Sequence, residues 1–265
     1  MNKKQNRKLT LFILPGLAGL AVFFMIPIVI MVMMSFSAMG ELSFQHYQQV
    51  LQSKAFQLAL VNTLRLLVSG VPLILIVGVL FALVFHMIMQ QDLPGGRFLF
   101  LMHLLPLVLP SAVTVLFVEA FFPYSSAPQV GILMTGLYIW KNIPYVLLVA
   151  FLGLRNIPAD VSCAAKLDGA NGMQLLRFIT LPYLKPYLLV GIVLALLGVF
   201  RIYRESYLLF GSYPDQSVYF LQNYMNNLFY SFSYGQVAAA SDLFLAGLSI
   251  LLISALYRLG KGGRQ

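Results

Sequence analysis

Six long apolar runs govern what this 265-residue chain can fold into. They cover residues 11–34, 66–89, 98–118, 132–154, 187–208 and 237–257. Each reaches the roughly 20 apolar residues that a helix needs to cross hydrocarbon. Within lipid every backbone polar group must be bonded internally, so such runs predict helices and not strands. Pro15, Pro27, Pro72, Pro106, Pro110 and Pro144 lie in or near them, where packing neighbours tolerate proline and kinks are expected. No connection is long enough to fold alone. The expectation is an all-α integral membrane protein: six transmembrane helices in one transmembrane domain, 1–265.

Composition agrees. The chain is 60% hydrophobic and 9% charged, against about a quarter charged in soluble domains. Eight acids and seventeen bases cannot furnish a soluble surface; the lipid bilayer is the natural solvent. A single cysteine, Cys163, excludes an internal disulfide framework. The net charge of +9 does not gather on one face, so no nucleic acid is expected as a partner; bases between apolar runs mark cytoplasmic loops instead. Lys3, Lys4, Arg7 and Lys8 precede an apolar run at 9–34. That run is about twice as long as the 7–15-residue core of a secretory signal and lacks a small-x-small cleavage site, which predicts a retained first span.

With the N-terminus inside, the inner bases are Lys3, Lys4, Arg7, Lys8, Arg97, Arg155, Lys166, Arg177, Lys185, Arg258, Lys261 and Arg264. The outer ones are Lys54, Arg65, Lys141, Arg201 and Arg204. Twelve against five obeys the positive-inside rule, so both termini are expected in the cytoplasm and the protein in the cell (inner) membrane, multi-pass. Two outer segments, 40–59 and 210–236, mix aromatic with polar residues. They read as interfacial helices or docking loops, or as an aromatic belt without a partner.

The longest inner connection, 155–185, reads RNIPADVSCAAKLDGANGMQLLRFITLPYLK. Pro158 and Asp160 suit the start of a short helix over 161–167. Gly169 and Gly172 interrupt it. A second amphipathic stretch, 173–179, is expected to end at Leu181–Pro182, because proline disfavours helical geometry in the residue before it. This helix–turn–helix reads equally as a docking knob for a peripheral partner and as an ordinary connection on the membrane surface.

The run Cys163-Ala-Ala-Lys-Leu-Asp-Gly-Ala170, followed by Phe178-Ile-Thr-Leu-Pro182, resembles the EAA loop of binding-protein-dependent ABC importer permeases. That family's pattern is Glu-Ala-Ala, two residues, Asp-Gly-Ala, a spacer, then Ile-x-Leu-Pro. Ala164, Ala165, Asp168, Gly169, Ala170, Ile179, Leu181 and Pro182 match it. The Asp-Gly-Ala variant is similar to the carbohydrate, maltose-type branch. Asn62-Thr63, Ile157-Pro158 and 235–241 (GQVAAAS) extend the resemblance along nearly the whole chain.

The resemblance implies a permease subunit that moves a sugar or oligosaccharide, delivered by an external solute-binding protein, into the cytoplasm. It implies a second permease subunit in a heterodimer, and two ATPase subunits that grip the coupling loop, with Gly172 completing a coupling helix over 164–172. The chain would itself bind no cofactor, ATP and Mg being used by the partner ATPase. It carries no GxxxxGK[ST] phosphate loop, so it is expected not to be an enzyme. One position departs from the pattern: the family's Glu is Cys163 here, and a thiol supplies no fixed charge unless its pKa is strongly lowered. Asp160, three residues earlier, shares that helix face and is the expected replacement.

Ionisable residues at membrane depth cost at least about 2.5–3.5 kcal/mol and are functional candidates by default. Here these are Glu119, Arg201, Arg204, Glu205 and Asp242, all expected in the outer half; Arg201 and Glu205 are spaced to pair along one helix. Both structural pairing and lining of the path fit. For a sugar path, Ser111, Thr114, Tyr138, Tyr203 and Tyr207 offer hydroxyls and aromatic faces. His46, His86 and His103 lack metal-ligand spacing, and no metal site is expected. Competing readings are an ABC permease for another solute, such as a polyamine or glycerol phosphate, and a secondary transporter. The latter calls for repeats, or for midplane charges with broken helices. No GxSxG or HExxH supports an intramembrane protease.

Overall fold

The computed structural model describes residues 3–38, 41–122 and 127–261. Gly40, the first residue of the 40–59 segment, and Arg264 lie outside the described residues. Apart from one two-stranded hairpin, Ser37–Ala38 with Glu41–Leu42, the regular structure is helical. In chain order the helices are α1 Lys3–Leu20, α2 Ile26–Phe36, α3 Gln45–Gln52, α4 Lys54–Gln90, α5 Gly96–His103, α6 Leu105–Val108 and α7 Ser111–Phe121. There follow α8 Ala127–Arg155, α9 Ala159–Leu167, α10 Gly172–Leu175, α11 Leu181–Phe210, α12 Leu221–Tyr230 and α13 Tyr234–Lys261.

Among the described residues, five helical stretches are long and apolar enough to cross a membrane: Phe12–Phe36, Lys54–Gln90, Pro128–Arg155, Gly172–Phe210 and Tyr234–Ser254. They coincide with five of the six predicted runs. The remaining run, 98–118, is not one helix but three short ones, α5 to α7. Prolines cause the breaks. Pro106 and Pro110 donate no backbone bond and their rings crowd the carbonyls four residues back. Leu109, just before Pro110, is forced extended (ψ 120°), as a residue preceding proline should be.

Proline acts differently at two other places. π-helical turns at Ala21–Met25 and Leu176–Thr180 end two residues before Pro27 and Pro182. A wider turn there makes room for the ring without ending the helix. The expected stop at Leu181–Pro182 is therefore not seen: the chain stays helical from Gly172 to Phe210.

The chain forms two compact units. One comprises Met1–Gln57 and Met225–Gly247, the other Leu58–Tyr224 and Leu248–Gln265. In the first, the Tyr47 hydroxyl of α3 donates to Asp242 Oδ2 (2.9 Å) and meets Ser35 Oγ at 2.8 Å. Asp242, a candidate intramembrane charge, is thus engaged by a phenol.

The second unit is built on α4, α8 and α11. A Cβ on Gly78 would stand 2.7 Å from Val146, and one on Gly153 2.7 Å from Leu184 and Tyr187; small residues let these helices approach closely. Ala82, Phe85, Leu147, Ala150, Phe151, Leu154 and the fully buried Leu184 form a core where α8 and α11 adjoin the 155–185 connection. The Asn62-Thr63 pair pins the segment after α11 to α4. Asn62 Nδ2 donates to the carbonyls of Gln216 (2.6 Å) and Tyr219 (3.1 Å), and Thr63 Oγ1 accepts from Leu221 N (3.0 Å).

Candidate functional site

Two places in the second unit hold residues whose arrangement goes beyond packing. The first is the 155–185 connection. Pro158 is extended (φ −61°, ψ 132°) and starts α9, with Asp160 in the first turn, where a carboxylate suits the helix dipole. The helix ends at Asp168. Gly169 turns left-handed (φ +84°), its N–H donating to Lys166 O (3.1 Å) and that of Ala170 to Ala165 O (2.9 Å). This pair of bonds is the Schellman closure, which needs a residue at ease with positive φ. Asn171 then caps α10 reciprocally: its Oδ1 accepts from Gln174 N (2.9 Å) while Gln174 Oε1 accepts from Asn171 N (2.8 Å). Asp-Gly-Ala-Asn thus makes a stop-and-restart hinge between two helices.

Neither α9 nor α10 buries a residue. Cys163 and Ala164 are exposed; Ala165 and Ala170 are half-buried. Leu167 is 88% exposed, Met173 71% and Phe178 67%. Ala165, Asp168, Gly169, Ala170 and Ile179 line one cavity of about 280 Å³ between the two arms. The large apolar side chains of Leu167, Met173 and Phe178 stand outward on the two arms that the turn joins.

The second place is a cavity of about 300 Å³ between α8, α11 and the broken segment 106–111. Lys141 lies 14 residues from each end of α8 (141 − 127 and 155 − 141), about 21 Å at 1.5 Å per residue. It was counted among the outer bases, yet it stands near the middle of both the 132–154 run and α8. Lys141 forms an ion pair with Glu205 of α11, which is 1% exposed. The expected Arg201–Glu205 pair does not form. Arg201 instead reaches Asn142 Oδ1 (2.7 Å) and stacks over Tyr145, 4.0 Å from the ring centre. Arg204 lines the same cavity. A Cβ at Gly198 would collide with the Asn142 amide, so that glycine lets the amide stand where Arg201 can use it.

The expected path residues divide. Ser111 lines the cavity; Thr114 is buried and does not line it, though its Oγ1 lies 3.5 Å from Lys141 Nζ. Tyr138 is fully buried, its hydroxyl donating to Ala195 O (2.7 Å), an interhelical tie. Tyr203 and Tyr207 pack on each other, ring centres 5.8 Å apart, and do not line the cavity. Lys141, Asn142 and Tyr145 were missed, although a lysine at the centre of the 132–154 run was the available signal. Glu119 is exposed. Among the described residues, no three His, Cys, Asp or Glu side chains come together as metal ligands.

A membrane bundle with a broken helix at a charged cavity and a capped loop of outward apolar residues has the makings of a multi-pass transport subunit. The chain belongs to the family of binding-protein-dependent transport system inner membrane components, whose model matches residues 66–261. It is a permease subunit, not an enzyme. A charge at the middle of a long apolar helix and a broken helix, the features that would suit a secondary transporter, therefore occur here within the binding-protein-dependent family.

Curated relatives carry sugar names. The chain is 31% identical over 221 residues to the arabinooligosaccharides transport system permease protein AraP of Bacillus subtilis, covering 75% of this chain and 71% of that one. It is 27% identical over 271 residues to the trehalose/maltose transport system permease protein MalF of Thermococcus litoralis (92% and 90%). It is 26% identical over 223 residues to the trehalose transport system permease protein SugA of Mycobacterium tuberculosis (78% and 71%). A crystal structure of a bacterial alginate ABC transporter in complex with alginate pentasaccharide-bound periplasmic protein shares the fold: TM-score 0.75, 19% identity, 99% of this chain and 97% of that chain.

Proposed function

We propose that this chain is the permease subunit of an ATP-driven ABC importer that carries a sugar or oligosaccharide from an external solute-binding protein into the cytoplasm. The observation that carries this reading is the 155–185 loop. Its Asp168-Gly169-Ala170-Asn171 hinge holds Leu167, Met173 and Phe178 outward, as an ATPase-docking surface requires. The chain's membership of the binding-protein-dependent family and the sugar names of its relatives support the rest.

In this reading α5 to α7 complete a sixth, broken crossing of a single membrane domain, with both termini and the loop in the cytoplasm of the cell membrane. A second permease subunit pairs with this one, and two ATPase subunits, using ATP and Mg, seat around Ala164, Ala165, Gly169, Ala170 and Gly172. Ile179, Leu181 and Pro182 tie the dock to α11. Asp160 stands in for the family's Glu, whose place is taken by Cys163; both Asp160 and Cys163 are exposed. Closure of the ATPases draws the loops together and shifts the bundle between two packed states. The solute path runs by the cavity at Lys141 and Glu205, because non-helical backbone such as 109–110 is tolerated at membrane depth only where protein buries it or water lines it.

Copurification tests the assembly: an ATPase and a second permease should come down with the chain, and reconstituted uptake should require ATP. Uptake by the chain alone, driven by an ion gradient without ATP, would overturn the reading. Asp160→Asn should weaken ATPase assembly; full assembly would remove Asp160 from the dock.

A further inference from the structure

We propose that the cavity between α8, α11 and the 106–111 break is a subsite for an acidic sugar, one ring bearing a carboxylate or phosphate. The inference rests on the sugar-importer reading above and adds the charge of the cargo.

Three features of the cavity point to an anion. The first is its charge. Lys141 is engaged by Glu205 in an ion pair. Arg201 and Arg204, which line the same cavity, face no carboxylate there other than this engaged one. Arg201 is held by neutral groups, the Asn142 amide, the Leu194 carbonyl (3.3 Å) and the Tyr145 ring. One acid against three bases leaves the cavity basic, and bringing three like charges together costs free energy. An arriving oxyanion relieves that cost, and guanidinium forks match carboxylate and phosphate geometry.

The second is the α7 N-terminus. Pro110 occupies the cap position and no side chain caps it, and this helix end lies at the cavity, which Pro110 and Ser111 line. Such a terminus favours negative charge.

The third speaks for a hydroxylated ring instead of a bare anion. Glu205 Oε2 is buried without a hydrogen-bond partner, an unsatisfied acceptor on a side chain that lines the cavity. A sugar hydroxyl would fill it. At about 300 Å³ the cavity stands at the small end of ligand sites, enough for one sugar unit of a chain and not for the whole of it.

The test uses the complete complex with its binding protein. Calorimetry on the binding protein with oligouronides, sugar phosphates, glycerol phosphate and neutral oligosaccharides gives the cargo, and ATP-driven uptake of that cargo into proteoliposomes follows. The expected result is an acidic sugar. Arg204→Gln should lower its uptake about tenfold or more, as loss of a charged hydrogen bond implies, with Arg204→Lys retaining part. Size-exclusion chromatography of each variant complex separates this from failed assembly. Acidic cargo whose uptake is unchanged in both Arg204→Gln and Arg201→Gln overturns the subsite. Neutral cargo, carried equally by wild type and Arg204→Gln, overturns it while leaving the sugar permease intact. Glycerol phosphate as cargo overturns the sugar reading itself, and so does stimulation by no sugar at all.

Discussion

Gly169→Ala should uncouple transport from ATP hydrolysis without unfolding the bundle. Gly169 holds φ +84°, a region that costs an L side chain about 1–2 kcal/mol. A Cβ there would touch nothing within 4 Å, so collision adds nothing and the whole penalty is backbone strain. Relief requires giving up the bonds from Gly169 N to Lys166 O and from Ala170 N to Ala165 O, which fix the angle between α9 and α10. A penalty of that size disfavours the docking-ready loop by a factor of about 5–30. ATP-driven uptake at limiting ATPase should fall by a comparable factor. The melting temperature of the detergent-solubilised complex should stay put, since neither loop helix contributes to the core. Gly169→Asn should be milder, because asparagine enters the left-handed region more readily. If Gly169→Ala transports at the wild-type rate, the hinge does not set the docking geometry. Loss in Gly169→Trp alone would then assign the glycine to a tight seat in the ATPase groove.

Three more outcomes are expected. Lys141→Met leaves Glu205 buried and unpaired; breaking such a pair costs about 3–5 kcal/mol, less here because Lys141 is partly exposed, and the Lys141→Met/Glu205→Leu double variant should recover most of it, as read by thermal melting in detergent. Asn62→Ala strands the carbonyls of Gln216 and Tyr219 and should cost about 1–3 kcal/mol, seen as faster proteolysis in 211–220. Replacing Pro106 and Pro110 by alanine removes the cause of the break; segment 96–121 should become one helix, uptake should fall and the melting temperature should hold or rise.

The loop was legible because its geometry is local. Pro158, the Gly169 turn and the 164–170 pattern sit within a few residues of the bonds they make, and capping chemistry reads directly from such neighbours. The stop foreseen at Pro182 failed for an equally local reason: a π-helical turn absorbs the ring. The cavity was half legible. Prolines were seen as kinks, and Glu205, Arg201 and Arg204 as costly charges, but Lys141 was grouped with the outer bases and not read as a charge within a span. Its partner is 64 residues away on another helix, and no spacing rule reaches that far.

By itself, then, the sequence determined the all-helical class, five of the six long helices, the Gly169 turn and the family, because runs of apolar residues and short-range capping are written along the chain. Tertiary structure decided which charges meet. It set Lys141 against Glu205, turned Arg201 from its helical neighbour to Asn142 and Tyr145, and opened the broken segment onto them all. Pairing at membrane depth is chosen by which helices touch and how they are rotated, and that depends on packing across the whole bundle.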